Sequence, residues 1–284
     1  MKKRSTKEIK LQAKKALQGN VGTVLLGLLA VYGLNMLGTI LSTNLFSGTS
    51  PLDLVLSEVF MLVVSLIVGI ISAGFGYMLL NISRGKEFSL GDLGYFFKNQ
   101  PDRVIIAGFV LAVIQIVTAI PYYYVSFTTD PGLTVDSQIK WLSMTLGLLA
   151  VSTLLNFLIS LPFAMTYFLM ADDTELGGLQ ALKESARLMK GNIWRYVKLN
   201  LSFVPLLLLS VFTFYIALFW IMPYMEMSMV AFYRDLDGEL DYRLPGNEGF
   251  GSFHNWTNDS GDGYDTENND GYRNDSEDDY NSEA

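Results

Sequence analysis

Five stretches of this chain carry no charged residue: 21–52, 59–83, 104–129, 141–171 and 199–225. The shortest is 25 residues long, and about 20 apolar residues cross the hydrocarbon core of a bilayer. Between these blocks the pattern changes. Residues 5–20 place Ile9, Ala13, Ala16 and Leu17 on one helical face and Lys7, Lys10, Lys14 and Lys15 on the remainder. Residues 181–203 repeat the plan, with Leu182, Ala186, Met189 and Ile193 on one stripe and Lys183, Arg187 and Lys190 on another. A third segment, 89–103, offers Leu90, Leu93, Phe96 and Phe97 as its apolar set. A period of 3.6 with basic residues opposite predicts amphipathic helices at a membrane interface.

Local punctuation supports those helices. Ser5 and Glu8, and Ser89 and Asp92, have the spacing of a capping box, in which hydroxyl and carboxylate satisfy free amide donors. Gly19-Asn20 and Gly191-Asn192 close the first and third segments, and Asn99-Gln100-Pro101 closes the second. The chain therefore reads as three repeats of a basic amphipathic helix followed by an apolar pair. The expected architecture is an all-α, polytopic membrane helix bundle. Basic helices fall near 5–20, 89–100 and 174–191, and spans near 21–42, 58–82, 104–127, 141–171, 194–213 and 216–235. The last pair needs a tight turn near Thr213-Phe214-Tyr215, with Pro223 kinking the final span without ending it. Five spans, with a short interfacial helix after 222, is the alternative.

Charge orients the bundle. Segments 1–20, 83–103 and 172–198 hold seven, four and five Lys/Arg, whereas 43–57 has none and 128–140 only Lys140. Basic loops stay cytoplasmic, so the N-terminus and all three basic helices are expected on the inner side of a cell membrane, with the C-terminus inside if there are six spans. The first apolar run is too long for an ordinary signal-peptide core and lacks an Ala-x-Ala-like site after it, so it reads as an uncleaved span. The formal net charge of −8 divides unevenly: +4 over the membrane domain 1–236 and −12 over 237–284. That second part is expected to be a disordered acidic tail, because it cannot bury enough apolar surface to offset its ordering.

Chemistry is limited by what is missing. There is no cysteine, and the one histidine, His254, lies in the tail. Histidine triads, histidine–zinc sites and haem ligation by histidine are excluded from residues 1–236. Within the tail, 266–277 places Asn268, Asp270, Gly271 and Glu277 at calcium-loop spacing, but Thr266 replaces the first Asp, so it is read as accidental. No catalytic residues, metal or cofactor are expected, and the acidic tail argues against nucleic acid. The candidate lipid-surface residues are Lys7, Lys10, Lys14, Lys15, Lys183, Arg187, Lys190 and Arg195; the plainer reading is that these cations only set topology. Gln115 and Asn156, near the middle of adjacent spans, suggest an interhelical hydrogen bond. Glu226 is an in-membrane carboxyl on the six-span reading and an interfacial charge on the other. These three are weak ligand-binding candidates.

Several of these residues also form a recognisable set: Ser185, Met189, Gly191, Leu201-Ser202-Phe203, Trp220, Pro223-Tyr224 and Phe232-Tyr233, with the N-terminal K-x-x-A-K-x-A-L-x-G-N run. Over approximately residues 1–236 the chain resembles an uncharacterised family of integral membrane proteins of Gram-positive bacteria, domain of unknown function 975. It departs from that pattern at Val204-Pro205, where the family tends to have Gly-Trp, and it lacks the family's glycines near the last turn. The resemblance implies a multi-span membrane protein without an assigned activity. The expected function is a non-enzymatic scaffold or envelope-associated module contacting anionic lipid and an unknown protein partner. A small-molecule transporter or transporter subunit is the alternative.

Overall fold

The computed structural model describes residues 3–47 and 50–242. The order is α1 (Thr6–Leu17), α2 (Val21–Leu45), α3 (Pro51–Arg84), α4 (Tyr95–Lys98), α5 (Pro101–Thr128), α6 (Val135–Ser160), α7 (Thr166–Asp172), α8 (Gly178–Met189), α9 (Ile193–Leu201), α10 (Val204–Phe212), α11 (Leu218–Leu236) and α12 (Glu239–Tyr242), with no strand among the described residues. Five helical stretches are long and apolar enough to cross a membrane: Val21–Leu45, Leu52–Arg84, Pro101–Thr128, Val135–Asp172 and Ile193–Phe212.

The three-part repeat has a structural counterpart. Asn20, Asn99 and Asn192 each turn the side-chain amide back to the carbonyl four residues earlier, at 3.3, 2.9 and 3.0 Å. Gly19 and Gly191 precede two of them at φ of 86° and 76°, the left-handed conformation that ends a helix without a Cβ penalty. Each repeat then docks its amphipathic element on the second leg of the repeat before it. The 3₁₀ turn Leu90–Gly94 and α4 pack on α3, α8 packs on α7, and α1 closes the cycle by packing on α11. The second legs α3, α7 and α11 meet at the centre, where Phe168 of α7 stacks on Tyr233 of α11 with centroids 5.7 Å apart.

This cyclic docking corrects the expected interfacial helices. Ile9, Ala13 and Leu17 of α1 are buried against protein, as are Ala181, Leu182, Ser185 and Met189 of α8. Their apolar faces are therefore not available to lipid. The middle basic segment is shorter than 89–100 suggested: a 3₁₀ turn and one helical turn, with Phe96 fully buried. Gly74 explains how closely that turn sits on α3, since a Cβ there would lie 2.3 Å from the Leu93 carbonyl oxygen.

Two legs are broken where the expected spans were continuous; in the first leg of the last pair, expected over 194–213, α9 stops at Leu201 and α10 starts at Val204. The stretch 141–171 is not one helix, because α6 ends at Ser160 and a 3₁₀ turn, Leu161–Phe163, leads to α7. Pro162 removes an amide donor there, and Ser185 of α8 repairs the break: its hydroxyl donates to the Pro162 carbonyl at 2.8 Å and accepts from the Met165 amide at 3.1 Å. The last pair does turn at 213–217, with Phe214 and Tyr215 at φ of 50° and 65°. Left-handed backbone at non-glycine residues costs roughly 1–2 kcal/mol each. Pro223 lies inside α11 without ending it.

Small residues set the interhelical approach on the other legs. Gly27 and Gly38 of α2 face Phe75 and Val64 of α3, each 2.5 Å from where a Cβ would sit. Ser42 and Ser57 hydroxyls join the same two helices at 2.8 Å. The covered side of α6 is a polar and small stripe through Thr145, Ser152 and Asn156, while Leu146, Leu154 and Leu158 point away. Without a hydrophobic drive between helices in lipid, such residues permit close packing and the exposed leucines match the hydrocarbon.

The boundary expected at 236 is also revised. Gly238 takes φ 80° after α11, and α12 folds back so that Glu239, Leu240 and Asp241 contact the bundle. One compact unit extends to Arg243. The acidic tail expected over the remainder, including the calcium-like 266–277 match, lies outside the described residues.

Candidate functional site

Two arrangements collect the polar chemistry. The first is a girdle of ion pairs where the second legs end. Arg84, the last residue of α3, grips Asp172 of α7 with both terminal nitrogens, at 2.6 and 2.9 Å, and donates to Glu239 at 2.8 Å. Arg234 donates to the Ser83 carbonyl at 2.7 Å and to Glu239 at 2.7 Å. Tyr233 donates to Asp172 at 2.9 Å. Beside these, Asp235 lies between two guanidinium groups, Arg195 of α9 and Arg4 ahead of α1, with its side chain only 1% exposed. Arg4 continues to Asp241 at 2.8 Å and to the Leu240 carbonyl at 2.7 Å. Planar, bidentate guanidinium groups suit this role better than ammonium groups would.

Because Arg4, Arg84, Asp172 and Asp235 meet at one end, the chain leaves that end and returns three times. A further arginine completes the layer. Arg103 is 3% exposed and donates to the carbonyls of Met170 at 3.2 Å, Asp173 at 2.9 Å and Leu176 at 3.3 Å, closing the C-terminal end of α7. Sequence pattern alone did not single out Arg103, since its partners are backbone atoms with no sequence signature.

Charge balance within the girdle is uneven. Burial raises the Glu239 carboxyl, but the Arg234 and Arg84 guanidinium groups outweigh that and hold it below the usual range. Asp237 has the opposite fate: burial, then the neighbouring Asp172 and Glu239 carboxylates, push it up to about 6, with Arg84 opposing. A carboxyl whose folded pKa exceeds its unfolded value penalises folding when ionised. The penalty is full above pH 6 and fades toward the ordinary value of 3.8. Asp237→Asn is therefore expected to melt higher than the parent at pH 7.5. After allowance for solvent screening the gain is on the order of 1 kcal/mol. Thermal melts at stepped pH should show the gap closing between pH 6 and 4; a gap independent of pH would refute the assignment.

The basic residues expected at a lipid surface divide into two groups. Lys7, Lys14 and Lys15 on α1, Lys183 on α8 and Lys190 at the C-cap of α8 are exposed, and none pairs with a carboxylate among the described residues. Arg187 is exposed too and reaches Glu184 at 3.4 Å. Lys10 and Arg195 are corrections to that set. Lys10 donates to the Ser202 carbonyl at 3.0 Å and its ammonium lies 3.7 Å from the Phe203 ring centroid, where burial pushes its pKa down. Arg195 belongs to the girdle. Both face protein.

The second arrangement is a groove of about 380 Å³ between α3, α5, α6, α7 and α9. Gln115 and Asn156 both line it, with Ser65, Ser160, Tyr167 and Tyr196. The expected Gln115–Asn156 hydrogen bond is absent: the Asn156 amide donates instead to the Thr118 hydroxyl at 3.2 Å. Glu226 is not in the groove. Sequence reasoning also missed Glu58, just outside an apolar block, which accepts from the Tyr123 hydroxyl at 2.6 Å and ties α3 to α5.

The bundle and its girdle define a multi-pass helical membrane protein. The chain belongs to the family described as protein of unknown function DUF975, which it matches over residues 1–239. No curated protein matches it. No solved structure matches it.

Proposed function

We propose that this chain is a non-enzymatic scaffold of the bacterial cytoplasmic membrane. It crosses the bilayer six times, with the girdle on the cytoplasmic side, holds anionic lipid on its basic face and engages a protein partner. One observation carries the lipid assignment: the apolar faces of α1 and α8 are spent on internal docking, while five exposed lysines on or capping the same helices lack carboxylate partners among the described residues. Each lysine near an anionic surface contributes about 1 kcal/mol, an attraction that salt weakens. The partner assignment rests on sequence: residues 243–284 hold eleven Asp/Glu against two arginines, an acidic segment suited to a basic protein surface.

The test is lipid retention by the full chain extracted from membranes of mixed phosphatidylglycerol and phosphatidylcholine. Replacing Lys7, Lys14, Lys15, Lys183 and Lys190 together with Gln should lower phosphatidylglycerol retention about tenfold and flatten its salt dependence. Equal retention by parent and variant would sink the lipid reading. Truncation after Tyr242 should abolish partner co-purification and spare lipid retention. The crossing count has its own check, in a chain free of native cysteine. A thiol at Ser47 should react with an impermeant reagent in intact cells, and one at Phe250 only after the cells are opened; labelling of both in intact cells would contradict six crossings.

One observation favours the second reading, a small-molecule transporter or transporter subunit: the polar groove beside Gln115 and Asn156. Glu226, the carboxyl that ion coupling would use, stands outside it.

A further inference from the structure

The groove contains polar groups whose bonds the protein leaves unmade. Tyr167 directs its hydroxyl between α3 and α5, 3.2 Å from the position a Cβ would take on Gly69 and 3.8 Å from that on Gly108. Gly69 thus makes room for the oxygen, while the approach at Gly108 is ordinary contact. That hydroxyl, the Ser160 hydroxyl and the Gln115 amide have no hydrogen-bond partner among the described residues. Asn156 gives its NH₂ to Thr118, which leaves its carbonyl oxygen as an acceptor toward the groove. A hydroxyl in an apolar setting without a partner costs roughly 1–3 kcal/mol by mutational measures, and phenylalanine at 167 would avoid that cost entirely.

No charged side chain lines the groove, and its apolar walls include Leu111, Phe157, Leu161 and Phe163. An ionised headgroup would find no counter-charge there, whereas an uncharged polar group joined to an apolar body is matched throughout. Depth narrows the class further. Ser160 and Asn156 are one helical turn apart, about 5–6 Å, so the polar wall has the length of a short polar segment and not of a single hydroxyl. Tyr167 lies five residues from the girdle end of α7, about 8 Å along the axis, and Phe157 is exposed. Volumes of this size hold a small polar moiety and the start of its chains.

We infer that the groove binds the glycerol region of an uncharged diacylglycerol-type lipid, its chains leaving past Leu111 and Phe157. The Tyr167, Ser160 and Gln115 groups donate to its ester carbonyls, and the Asn156 carbonyl oxygen accepts from its free hydroxyl. This site is separate from the lysine face, and the two can fail independently.

The experiment reconstitutes the full chain in phosphatidylglycerol nanodiscs containing a small fraction of dioleoylglycerol. After detergent extraction, both lipids retained per chain are counted by mass spectrometry. The parent should retain close to one dioleoylglycerol, enriched over the bulk ratio. Tyr167→Phe, which removes one oxygen, and Asn156→Leu should each lower that retention at least fivefold, with phosphatidylglycerol unchanged. Conversely, the lysine-to-Gln variant should lose phosphatidylglycerol and keep dioleoylglycerol. Helical circular dichroism and melting verify folding, and Tyr167→Phe alone decides the matter if Asn156→Leu misfolds. Retention of dioleoylglycerol at the bulk ratio, retention unaffected by Tyr167→Phe, or preferential capture of phosphatidylglycerol in the groove would each overturn the inference.

Discussion

Asp235→Asn is expected to lower the stability of the extracted protein by about 3 kcal/mol, the scale for removing one partner of a buried ion pair. The side chain is 1% exposed and answers two guanidinium groups, Arg4 and Arg195. Neutralising it leaves both cations in a partly buried layer with one carboxylate fewer. The isosteric amide keeps the volume, so packing is not the cause of the loss. For a domain of this size the shift in melting temperature is roughly 6–12 °C. Adding Arg195→Gln to Asp235→Asn should recover part of the deficit, because the second change removes a stranded charge. A single variant that melts with the parent, or a double variant no better than the single, would show that the girdle does not hold the bundle together.

Gly178→Ala should cost about as much for an unrelated reason. At the first residue of α8, a Cβ would lie 2.1 Å from the Arg103 carbonyl oxygen and 3.1 Å from the Ala107 amide nitrogen, both backbone atoms of α5. A helix backbone cannot swing aside as a side chain can, so α8 itself must lift. That movement also loosens Ser185 from the break at Pro162 and pulls the loop whose carbonyls Arg103 caps. Overpacking of this kind costs about 1–3 kcal/mol, and here the upper end is expected. Melting temperature is the readout, with Gly177→Ala as the comparison: its Cβ would meet only the Gln180 side chain at 3.6 Å. Equal behaviour of the two variants would mean that the α5–α8 approach is not tight.

How much of this was legible in the sequence depended on the range of the cause. The apolar blocks became helices because a charge-free run of 25 residues or more has few other uses. The turn near 213–215 was expected because residues 194–236 offer about 20 residues to each of two legs, and length alone left a single crossing followed by an interfacial helix open as well. Gly-Asn punctuation marked the ends of α1 and α8 because left-handed backbone is a local demand. The break at Pro162 was hidden: its compensation comes from Ser185, more than 20 residues away, and an isolated proline in an apolar run is compatible with a continuous span. The fate of the amphipathic helices was hidden for a related reason. Periodicity shows that a face is apolar and not what covers it, so lipid and α11 were equivalent partners for Ile9 and Leu17. Gln115 and Asn156 were found as polar residues at similar depth, yet their geometry was not. Thr118, one turn from Gln115 on the same helix, took the bond.

The cyclic closure of α1 on α11 has a consequence for how the chain is made. Arg4 and Asp235 are 231 residues apart in sequence, so at about 5–20 residues per second the ribosome takes on the order of 12–46 seconds to supply the second after the first. Throughout that interval α1, which carries Ile9, Ala13 and Leu17, lacks α11, the helix it packs against most closely, and has only α3 and later α9 to lean on. A helix that ends its biogenesis as part of the core thus waits, incompletely covered, until α11 emerges and closes the cycle.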